Sequence, residues 1–261
     1  MRFIGLDLAW GERNNTASAV LESIAGGVTA RLVDFQERLQ SDEAILHYLN
    51  SMSVNGTCIA IDAPLIVRNP TGARPVDKEI TRRFGRYGAG AHPCNLRKFP
   101  QGVRGERLVK ALVQQGFKHR PFISLGERRK MMRRVFEVYP HPAHVVLFRL
   151  QKRLLYKKGD VGSRRRGLVI LQEKLLGELT RLKPRLRADK KLRDLLRRDV
   201  YGMKGRALKA YEDTLDSLFC AYIAFYHWYW GEEQSEVIGD METGYIVIPK
   251  SRCRGGVSPP M

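Results

Sequence analysis

The chain has 261 residues, 46 Lys/Arg against 27 Asp/Glu, and a formal net charge of +19, long enough to bury a full core within one elaborated domain. Hydrophobic residues make up 43% and charged residues 28%, which excludes an intrinsically disordered chain, and no run approaches the roughly 18 apolar residues of a membrane span. Cys58, Cys94, Cys220 and Cys253 are widely spaced with no Cys-x-x-Cys pair, which argues against a zinc site or a disulfide framework and reads as small buried hydrophobes plus one tail thiol.

Residues Arg2 to Trp10 are apolar and end in Asp-Leu-Ala-Trp-Gly, a strand running into a turn. No basic and apolar leader precedes it, so a cytoplasmic location is expected. Thr16 to Glu22 and Val28 to Phe35 read as strands around the Gly26-Gly27 turn, giving an antiparallel meander. Ser41 caps a helix whose apolar face carries Ala44, Ile45, Tyr48 and Leu49. Thr57 to Ile61 is a short continuous apolar run, the mark of a buried central strand, halted at Asp62-Ala-Pro. Pro75 opens a helix through Phe84, a Gly-rich stretch spans Gly85 to Gly90, and Gly105 to Gln115 is predicted helical. Arg134 to Tyr139 alternates as a strand, and Pro142 to Leu150 begins a helix.

Arg166 to Leu182 and Leu186 to Arg198 have helical apolar spacing with basic opposite faces. Residues 151–209 are therefore expected to form a basic helical insertion within one domain spanning 1–250. Glu212 to Trp230 is a longer helix whose aromatic stripe reads as core packing, Gly244 to Pro249 is a last strand, and 251–261 is expected to be a flexible tail. The order describes an α/β protein with a mixed five-stranded sheet flanked by helices, the plan of an RNase H-like fold.

The charge is segregated. From Arg82 to Arg134 there are 15 Lys/Arg against 2 acids, and from Arg149 to Ala210 there are 21 against 6, leaving a net −9 elsewhere. Clustered cations on an otherwise acidic scaffold suit a polyanion, because they release condensed counterions from a phosphate backbone. Nucleic acid, DNA or RNA, is the expected partner, with no membrane.

Acids at the ends of apolar strands are unusual, because burying an unpaired carboxylate is costly. Asp7 sits in Ile-Gly-Leu-Asp-Leu-Ala-Trp, Asp62 ends Cys-Ile-Ala-Ile-Asp-Ala-Pro, and Glu137 lies in Val-Phe-Glu-Val-Tyr-Pro. Asp213 and Asp216 stand three apart on one helix face. Carboxylates held together need compensation, and two Mg²⁺ or Mn²⁺ ions would supply it while activating a water for phosphodiester cleavage.

These residues carry a resemblance. Gly5-Leu6-Asp7 with Ala9-Trp10-Gly11, Ile61-Asp62-Ala63-Pro64-Leu65, Ala73-Arg74-Pro75-Val76-Asp77 with Arg82-Arg83, Phe136-Glu137-Val138-Tyr139-Pro140, and Asp213-Thr-Leu-Asp216-Ser-Leu occur in order. Over roughly residues 1 to 250 the chain resembles the domain-of-unknown-function family numbered 429, a predicted-nuclease branch of the RNase H-like superfamily. The Asp-x-x-Asp spacing is also similar to Holliday-junction resolvases of the RuvC type. That likeness implies that Asp7, Asp62, Asp213 and Asp216 hold the metal ions. Glu137 belongs to the first family alone and is assigned as a ligand or base.

Arg74, Arg82, Arg83 and Arg86, beside glycines 85, 88 and 90, form a candidate phosphate grip. Arg164-Arg165-Arg166 is a candidate phosphate clamp, and His92 a candidate phosphate contact or proton shuttle. His141 and His144 lack a nearby third ligand and read as a strand-exit loop. Against the nuclease stand a non-catalytic nucleic-acid binder and an actin-like phosphotransferase. The latter needs a second Gly-x-Asp strand and an adenosine loop, for which the chain is too short.

Overall fold

The computed structural model of the chain describes residues 1–11, 14–24, 26–124, 126–127 and 131–250; the expected tail, with Cys253, lies outside them. Three strands come first, β1 (Arg2–Asp7), β2 (Thr16–Ser23) and β3 (Thr29–Leu39), then helix α1 (Asp42–Met52) and strand β4 (Thr57–Ile61). Helices α2 (Pro75–Phe84) and α3 (Arg104–Gln114) lead to β5 (Lys118–His119) and β6 (Arg133–Glu137). Then follow α4 (Pro140–Leu147), α5 (Val161–Leu179), β7 (Arg185–Leu186), α6 (Lys190–Leu196), the long α7 (Gly205–Trp230), and β8 (Ser235–Asp240) with β9 (Gly244–Pro249).

The central sheet has seven strands in the order β5-β6-β4-β1-β2-β3-β7. The pairing registers make β2 the one strand running against the other six. The five strands expected from sequence are all in it. The two additional ones, β5 and β7, are two-residue edge strands, too short to leave an alternating pattern. The last expected strand, β9, instead pairs with β8 in a separate two-stranded sheet, touching the main one through a bridge from Val138 to Val247. Ser41 caps α1 as expected, its hydroxyl accepting from the Ala44 amide at 3.1 Å.

Strand alternation sorts the core into two faces. Phe3 and Ala60 join Leu215, Leu218 and Phe219 of α7 on one side, while Ile4, Leu6, Ile59 and Ile61 join Ile45 of α1 and Leu108 of α3 on the other. The segment expected as an insertion is built into the first face: Leu168, Leu171, Leu175, Leu186, Leu192 and Leu195 are buried in the same cluster as α7, and β7 extends the sheet from β3. Its apolar content is small, but nearly all of it points inward.

No helix among the described residues is long and apolar enough to cross a membrane.

Candidate functional site

The chain leaves β1 toward β2 and β3 on one side and continues through β4 and β6 on the other. The carboxyl ends of β1 and β4 therefore flank the point where the winding direction switches, the place where open α/β sheets form ligand crevices. Asp7 is the last residue of β1 and Asp62 follows β4 directly, its amide donating to the Leu6 carbonyl at 2.9 Å. By alternation Asp7 shares the face of Phe3 and Gly5, and Asp62 that of Cys58 and Ala60, so both turn toward α7.

Gly5 explains how α7 reaches them. A β-carbon there would overlap the Ser217 carbonyl and the Ala221 amide, so only glycine lets the helix lie directly on the strand. Asp213 and Asp216, one turn apart on α7, are thereby brought to Asp7. Asp213 lies within hydrogen-bonding reach of Asp7. The buried Oδ2 atoms of Asp7 and Asp213 have no hydrogen-bond partner.

Two lysines neutralise the cluster. Lys157 Nζ is 2.6 Å from Asp216 Oδ2 and 3.8 Å from Asp7 Oδ2. Lys209 Nζ is 2.5 Å from Asp213 Oδ1 and 2.8 Å from Glu212 Oε1. The Tyr156 hydroxyl donates to Asp216 Oδ1 at 2.7 Å, so both oxygens of this fully buried carboxylate are engaged. Glu212 is buried too and also accepts from Arg164 at 3.0 Å.

The titration behaviour follows. Burial raises Asp7, with the Asp216 charge adding to it and Lys157 opposing. Burial and then the Asp7 charge push Asp62 well above the usual carboxylate range, and the same two causes bring Asp213 to about 8. Burial also pushes on Asp216, but Lys157 and the nearby His141 outweigh it and hold this carboxyl low. The centre thus contains one firm anion and three carboxyls whose simultaneous ionisation requires a further cation.

Glu137 belongs elsewhere. It ends β6, where Phe136 faces α7 and Val135 the opposite side, so alternation turns Glu137 away from the aspartates. Arg74 clamps it with bonds of 2.7 and 3.0 Å, and the Leu65 amide adds a third at 2.8 Å. Arg74 also grips Asp77 at 2.8 Å, whose Oδ2 accepts from the Arg74 and Cys94 amides. This buried knot corrects two expectations: both Glu137 oxygens are spent on protein donors, and Arg74, 2% exposed, is no phosphate grip.

The other arginines are also dispersed. Arg82 and Arg83 share Glu79, and Arg83 reaches Glu236 at 2.8 Å. Arg86 lies over the Tyr87 ring. Arg164 goes to Glu212, Arg165 to the Met203 carbonyl and Arg166 to the Ser163 hydroxyl; successive residues on a helix point about 100° apart, so they form no common clamp. His92 does reach the centre: with Asp62, Trp10 and Tyr139 it lines a cavity of about 70 Å³. Burial and then Lys158, Lys98 and Arg153 lower its pKa. Across Trp10 a wider opening of about 600 Å³ is lined by Lys98, Arg104 and Arg107. Arg104 is itself buried, pinning the Ala9 carbonyl at 3.0 Å and Asp42 at 2.6 Å. His141 and His144 are buried in α4 and pushed by desolvation to about 3 and about 4, and His144 packs on Phe219 at 4.0 Å.

Tyr156, Lys157 and Lys209 were not singled out from sequence, since nothing local separates these two lysines from the other cations of their segment. The donors on offer are hard carboxylate oxygens, the chemistry of Mg²⁺ or Mn²⁺. The unpartnered oxygens of Asp7 and Asp213 fit a cation, whereas Asp216 is already paired. Among the described residues, no three His, Cys, Asp or Glu side chains stand in ready-made metal-binding geometry.

The sequence model of a family described as "Protein of unknown function (DUF429)" matches residues 5–243. No curated protein and no solved structure matches the chain.

Proposed function

We propose that this chain, which belongs to the DUF429 family, is a metal-dependent nuclease that hydrolyses phosphodiester bonds of DNA or RNA on an RNase H-like sheet. The observation that carries the reading is the meeting of Asp7, Asp62, Asp213 and Asp216, drawn from two strands and a helix, with buried oxygens left unpartnered. Such a cluster is costly to fold and stabilises nothing by itself, which favours a role in chemistry. The strand order β3-β2-β1-β4-β6 with β2 reversed supports the RNase H-like assignment.

Asp7, Asp62 and Asp213 would hold the ion. When bound, a divalent ion polarises a phosphoryl oxygen and makes a coordinated water nucleophilic near neutral pH. The remaining work falls to protein groups. His92, exposed at the rim and favoured as neutral imidazole by its basic neighbours, can accept a proton. Lys98, Arg107, Arg153 and Lys158 surround the opening and would draw in a phosphate backbone. Trp10, 38% exposed, offers a ring for a base to stack on.

The test is cleavage of labelled single-stranded, duplex and branched substrates with Mn²⁺. Asp7→Asn and Asp62→Asn are expected to abolish cutting and leave binding intact. Cleavage that survives both changes would refute the site. Lysines already neutralising part of the cluster favour a second reading, a binder without catalysis; wild type that binds strands but cuts none of the panel would establish it.

A further inference from the structure

The expectation of two metal ions meets an obstacle in the geometry around Asp216. Both oxygens of this buried carboxylate are taken, one by the Tyr156 hydroxyl and the other by the Lys157 ammonium, which also approaches Asp7. An ion bridging Asp7 and Asp216 would have to sit where the ammonium is. Nor is the lysine a loosely held surface group. Tyr156 beside it is fully buried, and Gly167 of α5 lies so close that a β-carbon there would overlap the Leu155 carbonyl, seating the 155–157 segment directly against the helix. The other side of the centre differs: Asp213 is 3% exposed, and its Oδ2, like that of Asp7, has no partner. One half of the cluster carries its cation covalently and the other half lacks one.

We infer that Lys157 takes the place of one of two metal ions, so that the site binds a single divalent ion on the Asp7, Asp62 and Asp213 side. The inference rests on the metal-dependent reading above and narrows it. In it Lys157 is a positioning residue, fixing Asp216 and the Asp7 side chain while contributing one positive charge of the total a two-ion site would supply. Sequence conceals this, because the lysine lies far along the chain from every aspartate it serves.

The experiment is Mn²⁺ titration of the full chain followed by electron paramagnetic resonance, which counts bound ions and detects spin coupling between adjacent ones. Wild type is expected to bind one ion with an uncoupled spectrum. Lys157→Met is expected to bind two with a coupled spectrum, and Lys157→Arg, which keeps the charge, one. Mn²⁺ should also raise the melting temperature of Lys157→Met more than that of wild type. Two ions in wild type overturn the inference and leave the nuclease reading standing. One ion in Lys157→Met, in protein that melts cooperatively, overturns it as well. No bound ion in any of the three proteins removes both. If Lys157→Met does not fold, the wild-type count and spectrum decide: one uncoupled ion supports the inference, and any other result ends it.

Discussion

The protein buries two groups of carboxylates, and they are opposites. In the knot of Arg74, Asp77 and Glu137, every acid oxygen has a guanidinium or backbone amide donor, and the group ties α2, β6 and the loop after β4 together. In the aspartate centre, oxygens of Asp7 and Asp213 are buried without a hydrogen-bond partner, although lysines stand nearby. Both groups consist of acids at strand or helix ends. The difference is satisfaction: a fully bonded cluster holds structure, and an under-bonded one is poised to take a ligand.

The hardest test of this contrast is to remove the knot's one cation. Arg74→Met leaves two buried carboxylates uncompensated, and the expected loss is about 3–5 kcal/mol, measured by urea unfolding. Asp213→Asn in the other group should leave metal-free stability unchanged or improved; equal losses from both would erase the distinction. Next comes Gly5→Ala. Its β-carbon would push α7 from β1, at an overpacking cost of about 1–3 kcal/mol. Cleavage should fall further than stability predicts, because Asp213 and Asp216 would be displaced from Asp7.

A smaller effect is pH dependence. Asp213 is raised from 3.8 to about 8, so between those values the folded state binds more protons than the unfolded one. Metal-free stability is therefore expected to be fullest below pH 4 as far as this group is concerned. It should fall as pH rises toward 8, with a slope of at most about 1.4 kcal/mol per pH unit. Asp213→Asn should flatten that slope in melts taken from pH 5 to 8, and an unchanged slope would mean that the group does not titrate there. Least of all, Arg82→Ala removes an exposed partner of Glu79 and should leave the melting temperature unchanged.

Much of this was legible in the residues because strand ends and helix faces are local patterns. Asp7, Asp62, Asp213 and Asp216 could be picked out, since an acid within an apolar run stands out wherever the strand finally pairs. Glu137 met the same criterion and was misassigned. Its direction depends on the register of β6 against β4, with Ile61 opposite Glu137, and register is not a local property. Arg74 and Arg104 sat in basic segments and looked like surface cations, yet each is buried on partners distant in sequence or structure. The strands β5 and β7 were missed because two residues carry no period. Lys157 was missed because its meaning comes entirely from the acids that it meets.

The seat of α7 on Gly5 has a consequence for biosynthesis. Asp7 is among the first residues to leave the ribosome and Asp213 follows more than 200 residues later. Until α7 docks on β1, the carboxylates are far apart, hydrated and free of mutual repulsion. The nascent chain can thus assemble β1 through β6 without meeting the electrostatic cost of the centre. That cost arrives with α7, when most of the sheet already exists to bear it.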